Sequence, residues 1–194
     1  MTSKPIQITA DSVCDLPTEI VEALGIKIIP TYVNIGGESI ADDGVALVRE
    51  EYYKRLPSFT SQPTTAAPSP GDAEAFFRPL LDSADHIISF HVPTALSGVL
   101  NAMRLGAEAV DKDRVTLMDR LQVSMGIGMQ VWVAAELAQQ SKSVPEILEA
   151  VERVRLNSKL YAAIDTMEYL RRSGRVSGLL AGIGSILKIK PFVT

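Results

Sequence analysis

The stretch that decides the fold is Ile87–Val110, which reads IISFHVPTALSGVLNAMRLGAEAV. Its first residues are apolar and β-favouring, as is typical of a buried strand. A polar loop follows, and a helical pattern then begins at Ser97-Gly98, with apolar residues on one face. The first turn of a helix has backbone N–H groups without partners, and a serine there adds a hydroxyl. The stretch therefore predicts a strand, a turn and a helix start suited to an anion.

The same succession of strand and helix recurs on both sides of this stretch. β-favouring runs at Ile6–Thr9 and Val115–Met118 each precede a helical pattern. The alternation predicts an α/β fold with a parallel sheet covered by helices on both faces. Because loops that follow parallel strands share one edge of a sheet, we expect Asp11–Asp15, His91–Gly98 and Asp119–Ser124 to meet there.

Other segments complete the predicted organisation. Ile26–Val33 is predicted as one strand interrupted by Pro30, and Val45–Leu56 and Gln122–Gln139 as helices. We assign residues 1–158 to the α/β domain and residues 159–194 to the beginning of a second, α+β domain. This second domain is expected to be incomplete, since Phe192–Thr194 reads as the start of a strand. A strand is also predicted at Leu160–Ile164.

The composition is that of a soluble globular protein, with 194 residues, 46% of them hydrophobic, and a net charge of −4. The acidic balance argues against a nucleic-acid partner. The most apolar windows are too short or too interrupted for stable membrane insertion. A single cysteine, Cys14, excludes an internal disulfide, and the N-terminal residues lack the apolar core of a signal peptide, so a cytoplasmic location is expected. The two histidines have no Cys/His cluster around them, and no metal site is predicted.

Asp11 and Asp15 flank the loop after the first strand. Paired carboxylates can carry out acid–base chemistry or hold a metal, but capping and bracing of a loop is the favoured interpretation. Cys14 between them is interpreted as a buried spectator rather than a reactive thiol. The glycine-spaced run Ser124–Gly128 lies in an apolar helical pattern, which favours close helix packing over nucleotide binding.

Ser97 admits three interpretations: a helix cap, a nucleophile or an anion ligand. The hydrolase elbow G-x-S-x-G fails, because Ala95 and Val99 occupy the glycine positions. The anion ligand is favoured by a second cluster of neutral donors, Thr60-Ser61-Gln62. The apolar segments Val123–Val133 and Leu179–Leu187 would then form a slot for an amphiphile with an anionic head, although core packing explains them equally well.

Six short motifs run along the chain. They are Asp11-Ser12 with Asp15-Leu16-Pro17, Thr60-Ser61-Gln62-Pro63, Leu96-Ser97-Gly98, Asp119 with Ser124, Gly126 and Gly128, Tyr169-Leu170 with Gly174-Arg175-Val176-Ser177, and Leu187-Lys188-Ile189-Lys190-Pro191. In this order they resemble the D-S-x-x-D-[LV]-P, T-S-Q-P, L-S-G, D-x(4)-S-x-G-x-G, Y-L-x-x-G-G-R-[VI]-S and L-L-x-I-K-P motifs of the DegV family, the bacterial fatty-acid-binding proteins. The resemblance covers nearly the whole chain.

The resemblance implies a protein that holds one long-chain fatty acid between two domains, with no cofactor other than this ligand. It implies that the hydroxyls of the T-S-Q-P and L-S-G motifs hold the carboxylate. The residues that carry over are Thr60, Ser61, Ser97 and Gly98, and the secondary contacts expected are Asn101, Asp11, Ser124 and Arg175.

The resemblance also implies a non-catalytic carrier that presents its ligand to a separate fatty acid kinase subunit. The alternative is a phosphoryl- or acyl-transfer enzyme that uses Asp11, Asp15 or Ser97. This sequence departs from the family where L-S-G-T-Y reads LSGVL, with Val99 and Leu100. A hydroxyl and an aromatic ring are thereby lost, and head-group contacts or acyl selectivity are expected to differ.

Overall fold

A four-stranded parallel sheet is the frame of the computed structural model, which describes residues 5–119, 121–175 and 192–193. The strands are β1 (Ile6–Asp11), β2 (Lys27–Ile29), β3 (Tyr32–Ile35), β4 (Glu38–Ala41), β5 (Thr64–Ala66), β6 (His86–His91), β7 (Val115–Asp119), β8 (Ala162–Ala163) and β9 (Phe192–Val193). The helices are α1 (Thr18–Ala23), α2 (Arg49–Arg55), α3 (Pro70–Ser83), α4 (Val99–Val110), α5 (Met125–Gln139), α6 (Val144–Asn157) and α7 (Glu168–Ser173).

The strands of the main sheet lie in the order β2-β1-β6-β7, and every neighbouring pair is parallel. The chain runs from β1 to β2 on one side and then returns to β6 on the other side. The boundary between β1 and β6 is therefore the switch point of the topology, and ligands of open α/β sheets bind beyond the strand ends at such a point.

Helices cover both faces of this sheet, as predicted. Ile88 and Phe90 belong to a buried cluster with residues of α5 and α6. Ile87, with its side chain on the opposite face of β6, belongs to a cluster with residues of α3 and α4. β6 is thus buried on both faces, which explains its continuous apolar sequence.

Three predicted helices begin later than the sequence pattern suggests. The helix predicted from Val45 begins at Arg49, because the Asp43 carboxylate accepts hydrogen bonds from the amides of Val45 (2.8 Å) and Ala46 (2.7 Å) and holds a turn. α5 begins at Met125 rather than Gln122, since Ser124 has a φ of 53°, which interrupts a right-handed helix. α4 begins at Val99, with Gly98 rather than Ser97 at the N-cap position.

The predicted strand Ile26–Val33 is wrong as a single element. Pro30 separates β2, in the parallel sheet, from β3, in a second sheet. This second sheet is antiparallel and has the order β4-β3-β5. The sequence analysis missed β4 and β5, which are four and three residues long.

The segment after residue 158 contributes a two-stranded sheet and a short helix. β8 pairs antiparallel with β9, and α7 ends at Gly174, whose φ of 74° is readily adopted by glycine. The strand predicted at Leu160–Ile164 is shorter than expected, and Val176-Ser177 and Leu179–Pro191 lie outside the described residues. The domain boundary after residue 158 stays a prediction. No helix among the described residues is long and apolar enough to cross a membrane.

The close-packing interpretation of the glycines in α5 fits the structure at Gly128. A Cβ atom there would lie 2.6 Å from the carbonyl oxygen of Cys14, so α5 packs directly against the loop after β1. We expect Gly128→Ala to lower the free energy of unfolding by about 1–3 kcal/mol, as overpacking does. Urea unfolding measures this change.

Gly71 is the matched control for this substitution, because it is also helical and a Cβ there meets only ordinary contact at 3.7 Å. Gly71→Ala should leave stability unchanged or raise it. Equal destabilisation by both substitutions would contradict the packing account.

Cys14 is buried, as the spectator interpretation requires, and desolvation raises its thiol pKa to about 11. Since the pKa is raised, the thiolate appears only well above neutral pH. We expect no reaction of the folded protein with a disulfide reagent at pH 8 and reaction of the one thiol after unfolding in urea. Rapid labelling of the folded protein would contradict the burial.

Candidate functional site

The loops after β1, β6 and β7 meet at one edge of the sheet, as predicted from their positions. Asp11 ends β1, and its Oδ2 accepts a hydrogen bond from the Val92 amide at 2.9 Å. The Thr94 hydroxyl donates to Oδ2 of Asp119, at the end of β7, at 2.7 Å. Two carboxylates, one from each of the strands β1 and β7 on either side of β6, therefore hold the loop that follows β6.

A buried polar chain lies behind this edge. Nδ1 of His91 is 3.2 Å from Asp11 Oδ2, and its Nε2 is 2.7 Å from the Ser89 hydroxyl, which also bonds to Thr9. All four side chains are fully buried. The tautomer of His91 that donates from Nδ1 and accepts at Nε2 satisfies the chain. Because solvent does not reach these groups, they stabilise the strand ends rather than contact a substrate.

The capping and bracing role of Asp11 and Asp15 fits the structure. Asp11 Oδ1 accepts from the Val13 amide at 3.0 Å and caps the short 3-10 turn Ser12–Cys14. Asp15 forms an ion pair with Arg49 at 2.7 Å. Neither carboxylate is left free for acid–base chemistry, and no cluster of His, Cys, Asp or Glu that could hold a metal occurs in the described part of the chain.

Arg49 is a structural centre that the sequence analysis missed. Its guanidinium donates to both carboxylate oxygens of Asp42, at 2.8 and 3.2 Å, to Asp15 at 2.7 Å and to the Ser12 carbonyl at 3.0 Å. The hydrogen bond to Asp42 is the largest cause of its raised pKa. These contacts fix the start of α2 against the loop after β1, and two aspartates already neutralise the Arg49 charge.

A groove of about 620 Å³ lies between the loop after β1, the antiparallel sheet, α2 and α7. Its walls are largely apolar and aromatic. The polar residues that line it are Asp15, Asp42, Arg49, Gln62, Thr64, Thr65, Arg172, Ser173 and Arg175. The apolar and aromatic residues that line it are Val13, Val33, Leu47, Tyr52, Tyr53, Leu56, Pro63, Leu96, Tyr169 and Leu170.

The walls of this groove differ from the predicted slot. We expected Val123–Val133 to form one wall, but Ile127 and Val131 in that segment are fully buried in the main core. Core packing therefore accounts for the apolar character of α5. The other predicted wall, Leu179–Leu187, lies outside the described residues.

The two donor motifs flank this groove. Gln62 of the T-S-Q-P motif and Leu96 of the L-S-G motif both line it. Thr60 and Ser61 are exposed beside Gln62, and Ser97 is half-buried beside Leu96. The four residues predicted to hold a carboxylate, including Gly98, are neighbours of the lining rather than part of it.

The hydroxyl of Ser97 is available as a donor. Its oxygen accepts a long hydrogen bond from the Val99 amide, 3.4 Å, which is a local turn contact because Gly98 holds the N-cap position of α4. No acceptor for its hydrogen, or for those of Thr60 and Ser61, lies among the described residues. This turn contact therefore leaves the Ser97 hydroxyl free to donate to an anion.

α7 and the residue pair after it connect the two motifs. The Arg172 guanidinium donates to Gln62 Oε1 at 3.3 Å, and Arg175 donates to the Leu96 carbonyl at 3.5 Å. Arg172 also forms an ion pair with Glu168 within α7. The segment after residue 158 thus closes one side of the groove.

The remaining residues expected as secondary contacts lie in different settings. Asn101 is exposed on α4, where its Oδ1 accepts from Arg104 at 2.9 Å. Ser124 is half-buried at the N-cap of α5. Asp11 is fully buried, which favours a supporting role over direct contact.

Comparison with known proteins shows the family and the fold of this chain. The model of a family described as "Uncharacterised protein, DegV family" matches residues 5–194. A DegV domain-containing protein of Deinococcus radiodurans is 36% identical over 97% of this chain and 66% of its own length. The chain spans about two thirds of the length of such relatives.

Two solved structures have the same fold over nearly all of this chain. A DegV family protein from Thermus thermophilus, described as binding fatty acid, is 34% identical with a TM-score of 0.87, over 97% of this chain and 66% of that one. DegV from Bacillus subtilis, described as a fatty acid binding protein, is 28% identical with a TM-score of 0.87, over 98% of this chain and 67% of that one. On the family match and these similarities, the chain belongs to the DegV family.

Proposed function

We propose that this protein binds a long-chain fatty acid, with the carboxylate at Thr60, Ser61, Ser97 and Gly98 and the acyl chain in the groove. One observation carries the proposal: an apolar groove is flanked by two loops whose hydroxyls have no acceptor among the described residues. The fatty acid binding described for the Thermus thermophilus and Bacillus subtilis relatives supports it.

The size and lining of the groove suit an acyl chain. Its volume of about 620 Å³ falls within the range of small-molecule sites, roughly 300–1,000 Å³. Each methylene group that leaves water contributes about 0.8 kcal/mol. A long chain therefore supplies most of the affinity, and the head-group contacts fix its direction and select a carboxylate.

Neutral hydroxyls are suitable donors for this head group. A hydrogen bond from a hydroxyl to a carboxylate is charge-assisted and contributes about 1.5–3 kcal/mol. Arg49 also lines the groove, but its charge is already balanced by Asp15 and Asp42. The hydroxyl loops, with Arg175 as a secondary contact, are therefore the proposed head-group site.

The proposed protein is a carrier without catalysis of its own. Asp11 is fully buried, and the exposed carboxylate of Asp15 is paired with Arg49, so the alternative transferase lacks an unpaired, accessible carboxylate at either position. We propose that the carrier presents its fatty acid to the catalytic subunit of a fatty acid kinase, as the family resemblance implies.

The proposed ligand can be identified directly in the purified protein. We expect denaturing extraction of the purified protein, followed by mass spectrometry, to release a long-chain fatty acid at close to one molecule per chain. Recovery of no acyl chain, together with no uptake of added palmitate, would contradict the proposed function.

The proposed role of Ser97 in holding the head group can be tested by substitution. Ser97→Ala removes one donor to the carboxylate, so we expect palmitate affinity to fall about tenfold. Ser83→Ala is the control, because Ser83 is exposed at the end of α3 and its hydroxyl donates to the Leu80 carbonyl. Titration calorimetry measures both, and an unchanged affinity of Ser97→Ala would remove this serine from the site.

The proposed carrier role can be tested with the catalytic subunit of a fatty acid kinase. We expect acyl phosphate to form from ATP only when the kinase subunit and the palmitate-loaded carrier are both present. Phosphorylation that proceeds equally without the carrier would contradict the carrier role, and ATP turnover by the carrier alone would favour the transferase.

A further inference from the structure

The turn that carries Ser97 is internally rigid. The carbonyl of Pro93 accepts hydrogen bonds from the amides of both Leu96, at 2.9 Å, and Ser97, at 3.1 Å. The position of the Ser97 hydroxyl therefore depends on the contacts that hold the first residues of the turn.

Two carboxylates hold the start of this turn. Asp11 Oδ2 accepts from the Val92 amide at 2.9 Å, and Asp11 is itself oriented by the Val13 amide and by His91. Asp119 Oδ2 accepts from the Thr94 hydroxyl at 2.7 Å, with the Thr94 amide 3.4 Å away. Two residues of one turn, Val92 and Thr94, are thus tied to the ends of β1 and β7, the strands on either side of β6.

We propose that Asp11 and Asp119 are positioning residues, which fix Ser97 for the carboxylate through the turn Val92–Ser97. This inference rests on the proposed function. An ionised carboxylate has no hydrogen to donate and repels a fatty-acid head group, so neither aspartate is suited to be a ligand. Their hydrogen bonds to the turn instead fix the position of Ser97, whose hydroxyl donates to the carboxylate.

Thr94 allows the inference to be tested without disturbing the core, because its side chain is exposed. Thr94→Val keeps the shape of the side chain and removes the hydroxyl, whereas Thr94→Ser keeps the hydroxyl. Each variant of the full chain is titrated with palmitate and with palmitate methyl ester, which has the same acyl chain but no charged head group.

We expect wild-type protein and Thr94→Ser to prefer palmitate over the methyl ester. Thr94→Val should bind palmitate about tenfold more weakly and the ester with a smaller loss, since a hydroxyl donates a stronger, charge-assisted hydrogen bond to a carboxylate than to a neutral ester carbonyl. Asp119→Asn, whose amide oxygen still accepts from Thr94, should resemble the wild type, and Asp119→Ala should resemble Thr94→Val. The double variant Thr94→Val with Asp119→Ala should lose no more than either single variant.

Other results overturn the inference. If Thr94→Val retains the preference for palmitate, or loses affinity for both ligands equally, the hydrogen bond between Thr94 and Asp119 does not position the Ser97 hydroxyl. Additive losses in the double variant show that Thr94 and Asp119 act separately. If wild-type protein takes up neither palmitate nor its ester, the proposed function fails and the positioning role with it.

Discussion

The buried carboxylate of Asp11 is the constraint on which this edge of the fold depends. It stands at the end of the first strand and accepts hydrogen bonds from the backbone of two loops, at Val13 and Val92, while it also orients His91. A buried charge costs free energy unless hydrogen bonds compensate it, and here the compensating groups are the loop backbones themselves. Removing the carboxylate would therefore release two loops together.

These loops line the groove in which we propose that the ligand binds. The loop after β1 supplies Val13 to the groove, and the loop after β6 supplies Leu96 and places Ser97 at the rim. Arg49 then draws α2 onto the same loop through Asp15 and Asp42. The groove is consequently a product of contacts between segments that are far apart in sequence, and its walls are largely apolar.

Much of the fold could be predicted from the sequence because local chemistry decided it. Continuous apolar runs such as β6 predict strands buried on both faces, and parallel strands bring their following loops to one edge. The capping role of Asp11 also follows from an aspartate placed directly after a strand and before a turn. The motifs around Thr60 and Ser97 identified the candidate head-group donors.

The rest depended on contacts that leave no local pattern. β5, Thr64–Ala66, is too short for a periodic signal and pairs with β3 only in the folded chain. The role of Arg49 rests on partners in separate loops. The apolar sequence of α5 suits a ligand slot and a protein core equally, and only the packing of Ile127 assigned it to the core.

The most direct test of the central claim locates the carboxyl group of the bound ligand. Palmitate labelled with ¹³C at its carboxyl carbon, bound to protein labelled at serine and threonine, allows NMR to measure contacts between the head group and the protein. The account predicts one bound carboxyl resonance with contacts to Ser97 and to Thr60 or Ser61. A bound carboxyl group in contact with Arg49 instead, or the absence of any bound resonance, would contradict it.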